Sequence, residues 1–136
     1  MLHNIKYIGC FLDYNEIHDK IKELGKERLE VCIKHPHITF AYHPQIVDVT
    51  NFGKVVRVRA IGYGNNSVNE GLLVKIITDD LYLKEMIKLI EVPHITISMA
   101  RIAEPVDTGK LDFKPIEPFE LKAVFGAYTF DDRVIF

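Results

Sequence analysis

The run HPHITF at residues 35–40 returns, slightly altered, as VPHITI at 92–97. Pro-His-Ile-Thr thus stands twice in a chain of 136 residues, each time inside an apolar, strand-like segment. Side chains alternate across a strand, which puts His37, Thr39 and Ala41 on one face of the first copy and Ile38, Phe40 and Tyr42 on the other. In the second copy His94, Thr96 and Ser98 share a face, opposed by Ile95, Ile97 and Met99. The greasy face can pack on helices, which leaves histidine and threonine as the floor of a cleft. Six histidines and six threonines scattered at random would give about a quarter of one His-x-Thr, so two copies at matching places point to duplication.

The flanking sequence carries the same message. IKYIGCFL (5–12) is rich in β-branched and aromatic residues and reads as a strand. Asp13 with Glu16 makes a capping-box pattern for a helix, YNEIHDKIKEL, whose Ile17, Ile21 and Leu24 recur at helical spacing and which Gly25 ends. KERLEVCIK has room for a short extra strand before the first PHITFAYHP, closed by Pro44. KVVRVRAIGYG (54–64) and GLLVKIIT (71–78) read as a hairpin around NNSVNE. A second helix starts near Asp79 or Asp80, with Leu83, Ile87 and Ile90 as its buried stripe, and runs into Pro93. Residues 102–118, rich in Pro, Gly and charge, read as a surface connection, and FELKAVFGAYTF and RVIF as closing strands. The expected fold is α+β: one domain of two strand-helix-strand-strand halves, about 1–66 and 67–136, forming a two-lobed, mainly antiparallel sheet with a central cleft.

Composition narrows the function classes. The chain is 48% hydrophobic and 26% charged, with net charge −2, which suits a soluble globular protein and disfavours one that coats nucleic acid. The N-terminal apolar stretch is too short and interrupted for a signal peptide or membrane span, so a cytosolic protein without a membrane partner is expected. Cys10 and Cys32, without CxxC spacing, read as buried reduced thiols.

Two imidazoles across a cleft suit proton transfer near neutral pH, one accepting a proton from a nucleophile and the other donating to a leaving oxygen. Each threonine two positions on can offer its hydroxyl to a non-bridging phosphate oxygen. His35 and His43 share parity with His37 and could line the same cleft, but no carboxylate stands at metal spacing, so they read first as solvated strand ends, and no metal or cofactor is expected. Arg57 and Arg59 leave the core together, as a solvated face or as the positive rim of a phosphate site. Tyr63, between two glycines, is a candidate base-stacking platform, with Tyr42 and Tyr128 as weaker ones. Arg101 reads as a phosphate contact or a surface partner of Glu104.

The paired HIT motifs at 37–39 and 94–96, set in apolar strands, resemble the signature of the 2H phosphoesterase superfamily, and the duplicated order extends the resemblance over nearly the whole chain. The resemblance implies metal-independent cleavage of phosphodiesters, with 2′,3′-cyclic phosphates of nucleotides or RNA ends as the leading substrates. It makes His37 and His94 the acid and base pair and Thr39 and Thr96 the phosphate-binding hydroxyls. Cyclic di- or oligonucleotides and an ADP-ribose cyclic phosphate are alternative substrates, and a non-catalytic module binding a nucleotide or RNA end is the alternative function.

Overall fold

A computed structural model describes residues 4–44 and 47–136. In chain order it holds β1 (Ile5–Leu12), α1 (Tyr14–Glu23), β2 (Val31–Cys32), β3 (His37–Tyr42), β4 (Val55–Asn65), β5 (Asn69–Ile77), α2 (Leu81–Lys88), β6 (His94–Met99), β7 (Lys114–Thr129) and β8 (Val134–Ile135). One-turn 3-10 helices lie at Val49–Asn51 and, with a second turn, at Pro105–Lys110, here called the strap. The strands form one sheet in the order β2-β6-β5-β4-β7-β1-β3, with β8 on β7, and each described pairing is antiparallel. The fold is α+β, as the sequence predicts.

Local chemistry explains most element ends. Gly25 takes a left-handed φ of 73°, which lets its amide reach Lys22 O and that of Lys26 reach Ile21 O, so the last carbonyls of α1 find donors. The two aspartates differ: the Asp80 side chain accepts from Leu83 N at 2.9 Å, whereas Asp13 makes no side-chain cap and the expected capping box does not close. Helix α2 buries Leu83, with Tyr82, Met86 and Ile90 at the margin of the core, so Ile87 stands on the flank of the stripe. Asn65 and Asn66 close the β4–β5 turn by accepting from Ser67 N and Val68 N.

The connection expected at 102–118 is a strand from Lys114 onward. Pro115 and Pro118 read as loop residues, but they lie where the β4–β7 register jumps from Ala60↔Phe119 to Gly62↔Pro115, a break that tolerates a missing amide.

The helices and one face of the sheet enclose the core. Ile17 and Ile21 of α1, Leu83 of α2 and the strand residues Ile38, Val58, Leu72, Ile95 and Phe125 are all buried. Phe125 is ringed by Phe40, Phe52 and Tyr82 at centroid distances of 5.6, 5.6 and 6.0 Å.

Strands β3 and β6 stand five places apart in the sheet, about 24 Å if it were flat, yet they touch. The sheet is therefore rolled, and both HIT strands carry a bulge that helps roll it. Ile8 pairs with Ala41 and Gly9 with Thr39, so Phe40 is an extra residue; Glu70 pairs with Ser98 and Gly71 with Thr96, so Ile97 is the extra one. A bulge sharpens local twist and bends its strand.

Each threonine thus faces a glycine, and the row continues to a second one, Gly126 beyond Gly9 and Gly64 beyond Gly71. A Cβ on Gly9 would run into the Ile38 carbonyl oxygen, and one on Gly71 would meet the Ile95 carbonyl oxygen at 2.7 Å and also Thr108. Gly9→Ala and Gly71→Ala should each cost about 3 kcal/mol in urea unfolding, the scale of a severe core clash. Gly25→Ala, where a Cβ meets nothing and only φ is strained, should cost about 1 kcal/mol. Equal losses at the three positions would contradict the close-approach account.

Candidate functional site

The repeated proline has a geometric role. His37 Nδ1 lies 2.8 Å from the His35 carbonyl, and His94 Nδ1 lies 2.7 Å from the Val92 carbonyl, in each case the carbonyl just before the proline. A carbonyl only accepts, so Nδ1 carries the proton in both rings and each neutral imidazole presents a bare Nε2. The proline carbonyls are also taken, Pro36 O by Leu12 N at 2.9 Å and Pro93 O by Val74 N at 3.1 Å. Proline fixes its own φ and holds the preceding residue extended, which aims that carbonyl at the ring two residues on.

The bulges decide which neighbours join the histidines. Strict alternation put Ala41 with His37 and sent Tyr42 to the opposite face. The extra residue Phe40 reverses this, turning Ala41 to the core and Tyr42 to the His37 face, where it pairs with Tyr7. The same slip at Ile97 removes Ser98, expected beside His94 and Thr96, from that face. Ser98 is fully buried on the other side, donating to Glu70 Oε1 at 2.6 Å and accepting from Leu29 N.

His37 and His94 open into two adjoining cavities that share Tyr42 and Val106. The larger, about 850 Å³, is lined by Tyr7, His35, His37, Tyr128 and Glu104 among others. The smaller, about 470 Å³, has Thr39, Ile90, His94, Gly109 and Lys110 in its wall. The structure brings His37 to the larger cavity, Thr39 and His94 to the smaller and Tyr42 to both, which together form a groove; Thr96 is buried next to His94 and lines neither.

The two histidines have unlike surroundings. The Tyr7 ring stacks on His37 at 4.5 Å, its hydroxyl 3.3 Å from Nδ1, and the Phe11 ring lies 5.7 Å away. Burial pushes His37 down to about 4, with the neighbouring His94 charge acting the same way and the His35 carbonyl partly opposing. His94 instead lies along Gly109 of the strap, where a Cβ would sit 3.1 Å from its Cε1. The threonines differ too: the Thr96 hydroxyl is 2.8 Å from that of Thr108 and 3.2 Å from the Pro105 carbonyl, whereas Thr39 has no side-chain partner among the described residues.

Other candidates lie elsewhere. Arg57 and Arg59 flank Glu120 at 3.9 and 3.1 Å as a solvated face and line neither cavity. Tyr63 belongs to a separate cavity beside Lys26 and Arg28, its hydroxyl bound to the buried Glu70 carboxylate, so it is no platform for this groove. Arg101 pairs with Glu30, at 3.4 Å, and not with Glu104. His43 sits past the end of β3 against Phe130, while His35 joins the groove rim near Tyr128. Cys10 is buried, its thiol pushed up to about 12, but Cys32 is only half-buried; both are free. Among the described residues no three His, Cys, Asp or Glu side chains group as metal ligands, and no helix is long and apolar enough to cross a membrane.

Sequence reasoning missed Tyr7, Asn69, Thr108 and Gly109. Tyr7 and Asn69 each stand two residues before the glycine that faces a HIT threonine, a signal readable once Gly9 and Gly71 are matched.

His37 should leave a mark on stability. The unfolded chain takes up its proton near pH 6.5 and the folded chain near 4, so the fold weakens as pH falls through that window, by at most roughly 3 kcal/mol. Denaturant titrations at pH 7 and pH 4 should show a smaller drop for His37→Gln than for the natural chain; parallel losses would remove the argument. No protein-family model matches the sequence, and a search of curated proteins finds no match.

Proposed function

We propose that the protein is a metal-independent phosphodiesterase of the 2H type, acting on a 2′,3′-cyclic phosphate of a nucleotide or RNA end. The observation that carries the reading is the matched pinning of two imidazoles, each by the carbonyl before its proline, with the rings in two adjoining cavities that share Tyr42 and Val106. A duplicated, two-lobed architecture fits the same facts. β1-α1-β3 and β5-α2-β6 repeat one another down to the glycine facing threonine and the bulge after it, while β4 and β7 each pair with the other half's first strand.

The unlike surroundings of the rings divide the roles. His37, held neutral among aromatic rings, accepts a proton at Nε2 from an attacking water. A new O–P bond forms, the bond from phosphorus to the sugar 2′ or 3′ oxygen breaks, and His94, which enters the step as the imidazolium with protons on both Nδ1 and Nε2, delivers its Nε2 proton to that oxygen. Proton exchange with solvent then restores both rings. Thr39 and Thr96 donate to the non-bridging oxygens as charge builds there. Tyr42 and Tyr128, beside the larger cavity, suit a stacked base. A cytosolic enzyme of RNA-end or nucleotide processing is the corresponding setting.

One observation favours a second substrate class. The groove continues on both sides of Tyr42 and Val106, so a diester with an organic group on each oxygen, as in a cyclic or linear oligonucleotide, also has room.

Release of a 2′- or 3′-monophosphate from 2′,3′-cyclic nucleotides in the presence of EDTA tests the proposal. His37→Ala and His94→Ala should each lower kcat/KM about 10³-fold, within the usual reach of acid–base catalysis. Loss on chelation, or full activity in either variant, would overturn the mechanism; tight binding of the cyclic nucleotide without turnover would favour a binding module instead. The acid limb of the kcat/KM profile should fall near pH 4, where free His37 becomes protonated.

A further inference from the structure

Thr108, in the middle of the strap, has no exposed surface, so its hydroxyl must find its partners inside. Two are at hand: Asn69 Nδ2 at 3.1 Å and Thr96 Oγ1 at 2.8 Å. Asn69 is buried as well, and its Nδ2 also lies 2.9 Å from the Glu104 carbonyl. Thr96 Oγ1 has the Pro105 carbonyl at 3.2 Å as its second neighbour.

Carbonyls only accept, which orients the Asn69 amide, and the need of the buried Thr108 proton for an acceptor orients the two hydroxyls. The Glu104 carbonyl requires the nitrogen end of the Asn69 amide to face the strap, so Nδ2 donates its second proton to Thr108 Oγ1. The Thr108 proton then has Thr96 Oγ1 as its acceptor within the cluster. With that lone pair occupied, the Thr96 proton turns to the Pro105 carbonyl at 3.2 Å, a long contact for an O–H donor. The opposite sense would strand the Thr108 proton and leave the Pro105 carbonyl without this donor.

We infer that Asn69 and Thr108 are positioning residues, a one-way hydrogen-bond relay that keeps the Thr96 O–H available as a donor to an oxyanion entering the groove. The inference rests on the phosphodiester reading of the site. A phosphate oxygen replaces the distant Pro105 carbonyl at little cost, because the relay behind Thr96 stays as it was. Thr39 has no side-chain partner among the described residues and turns to whatever oxygen remains. Asn69 and Tyr7 hold the same register position in their strands, and each serves the HIT strand beside it, Tyr7 through the ring of His37 and Asn69 through the hydroxyl of Thr96.

Joint neutron and X-ray crystallography of the deuterated full chain reads the relay directly, with and without inorganic phosphate. Without phosphate the Thr108 deuteron should point at Thr96 Oγ1 and the Thr96 deuteron at Pro105 O. With phosphate only the Thr96 deuteron should move, onto a phosphate oxygen. A Thr96 deuteron aimed at Thr108, or one still on Pro105 O beside bound phosphate, would overturn the inference. Thr108→Val should lower kcat/KM on a 2′,3′-cyclic nucleotide about tenfold, the scale of one hydrogen bond, with the pH profile unmoved and Thr108→Ser restoring the rate. Failure of the natural chain to turn over that substrate would sink the phosphodiesterase reading, whereas the ligand-free deuteron positions judge the relay by themselves.

Discussion

Two glycines without side chains, Gly9 and Gly71, let a HIT strand come so close to its neighbour that the isoleucine carbonyl fills the space of a missing Cβ. That approach governs much of what surrounds it. Threonine gains a row of glycines across the ladder, the next residue is squeezed out as a bulge, and the bulge adds the twist that helps roll the sheet until β3 meets β6. Side chains of ordinary size at these two positions would separate the strands and with them the groove.

Much of this is legible in the letters of the chain, and the parts that are not have identifiable causes. Strand β1 begins and ends where its β-branched and aromatic run does, and α1 stops at Gly25, because periodicity and a left-handed glycine are local properties. The placement of Ile38 and Ile95 in the core follows from simple alternation. Alternation fails at Tyr42 and Ser98, since a bulge is set by what lies across the ladder, Gly9 or Gly71, and not by the strand that carries it. Tyr63 misleads for a related reason: its glycine neighbours suggest an open loop mouth, but its hydroxyl is held by a carboxylate seven residues on, brought near by the hairpin. The strap escaped notice because its Pro-Val-Asp-Thr-Gly composition is that of a loop, and only burial distinguishes Thr108 from a surface threonine.

The matched registers of β1–β3 and β5–β6 make the differences around them informative. Around His37 the walls are aromatic, Tyr7, Phe11 and the more exposed Tyr42, which disfavours charge on the ring. Around His94 and Thr96 the chain supplies backbone and hydroxyls from the strap. On the far face, where one half places Ile8 and Ala41, the other sets Glu70 and Ser98 with a bidentate Arg28 at 2.7 and 2.5 Å. A buried carboxylate so fully satisfied adds little net stability over an apolar pair but allows few alternative arrangements.

The two-residue strand β2 has a mechanical consequence. It is stitched to β6 through Val31↔Met99 and Cys32↔Ser98, and Ile33 N still reaches the Ile97 carbonyl at 3.0 Å. Four residues later the chain is already at His37, the first residue of β3. A fully stretched segment of that length spans only about 14 Å. The strand bearing one histidine is therefore leashed to the strand bearing the other, and while β2 stays paired the leash limits how far the groove can gape.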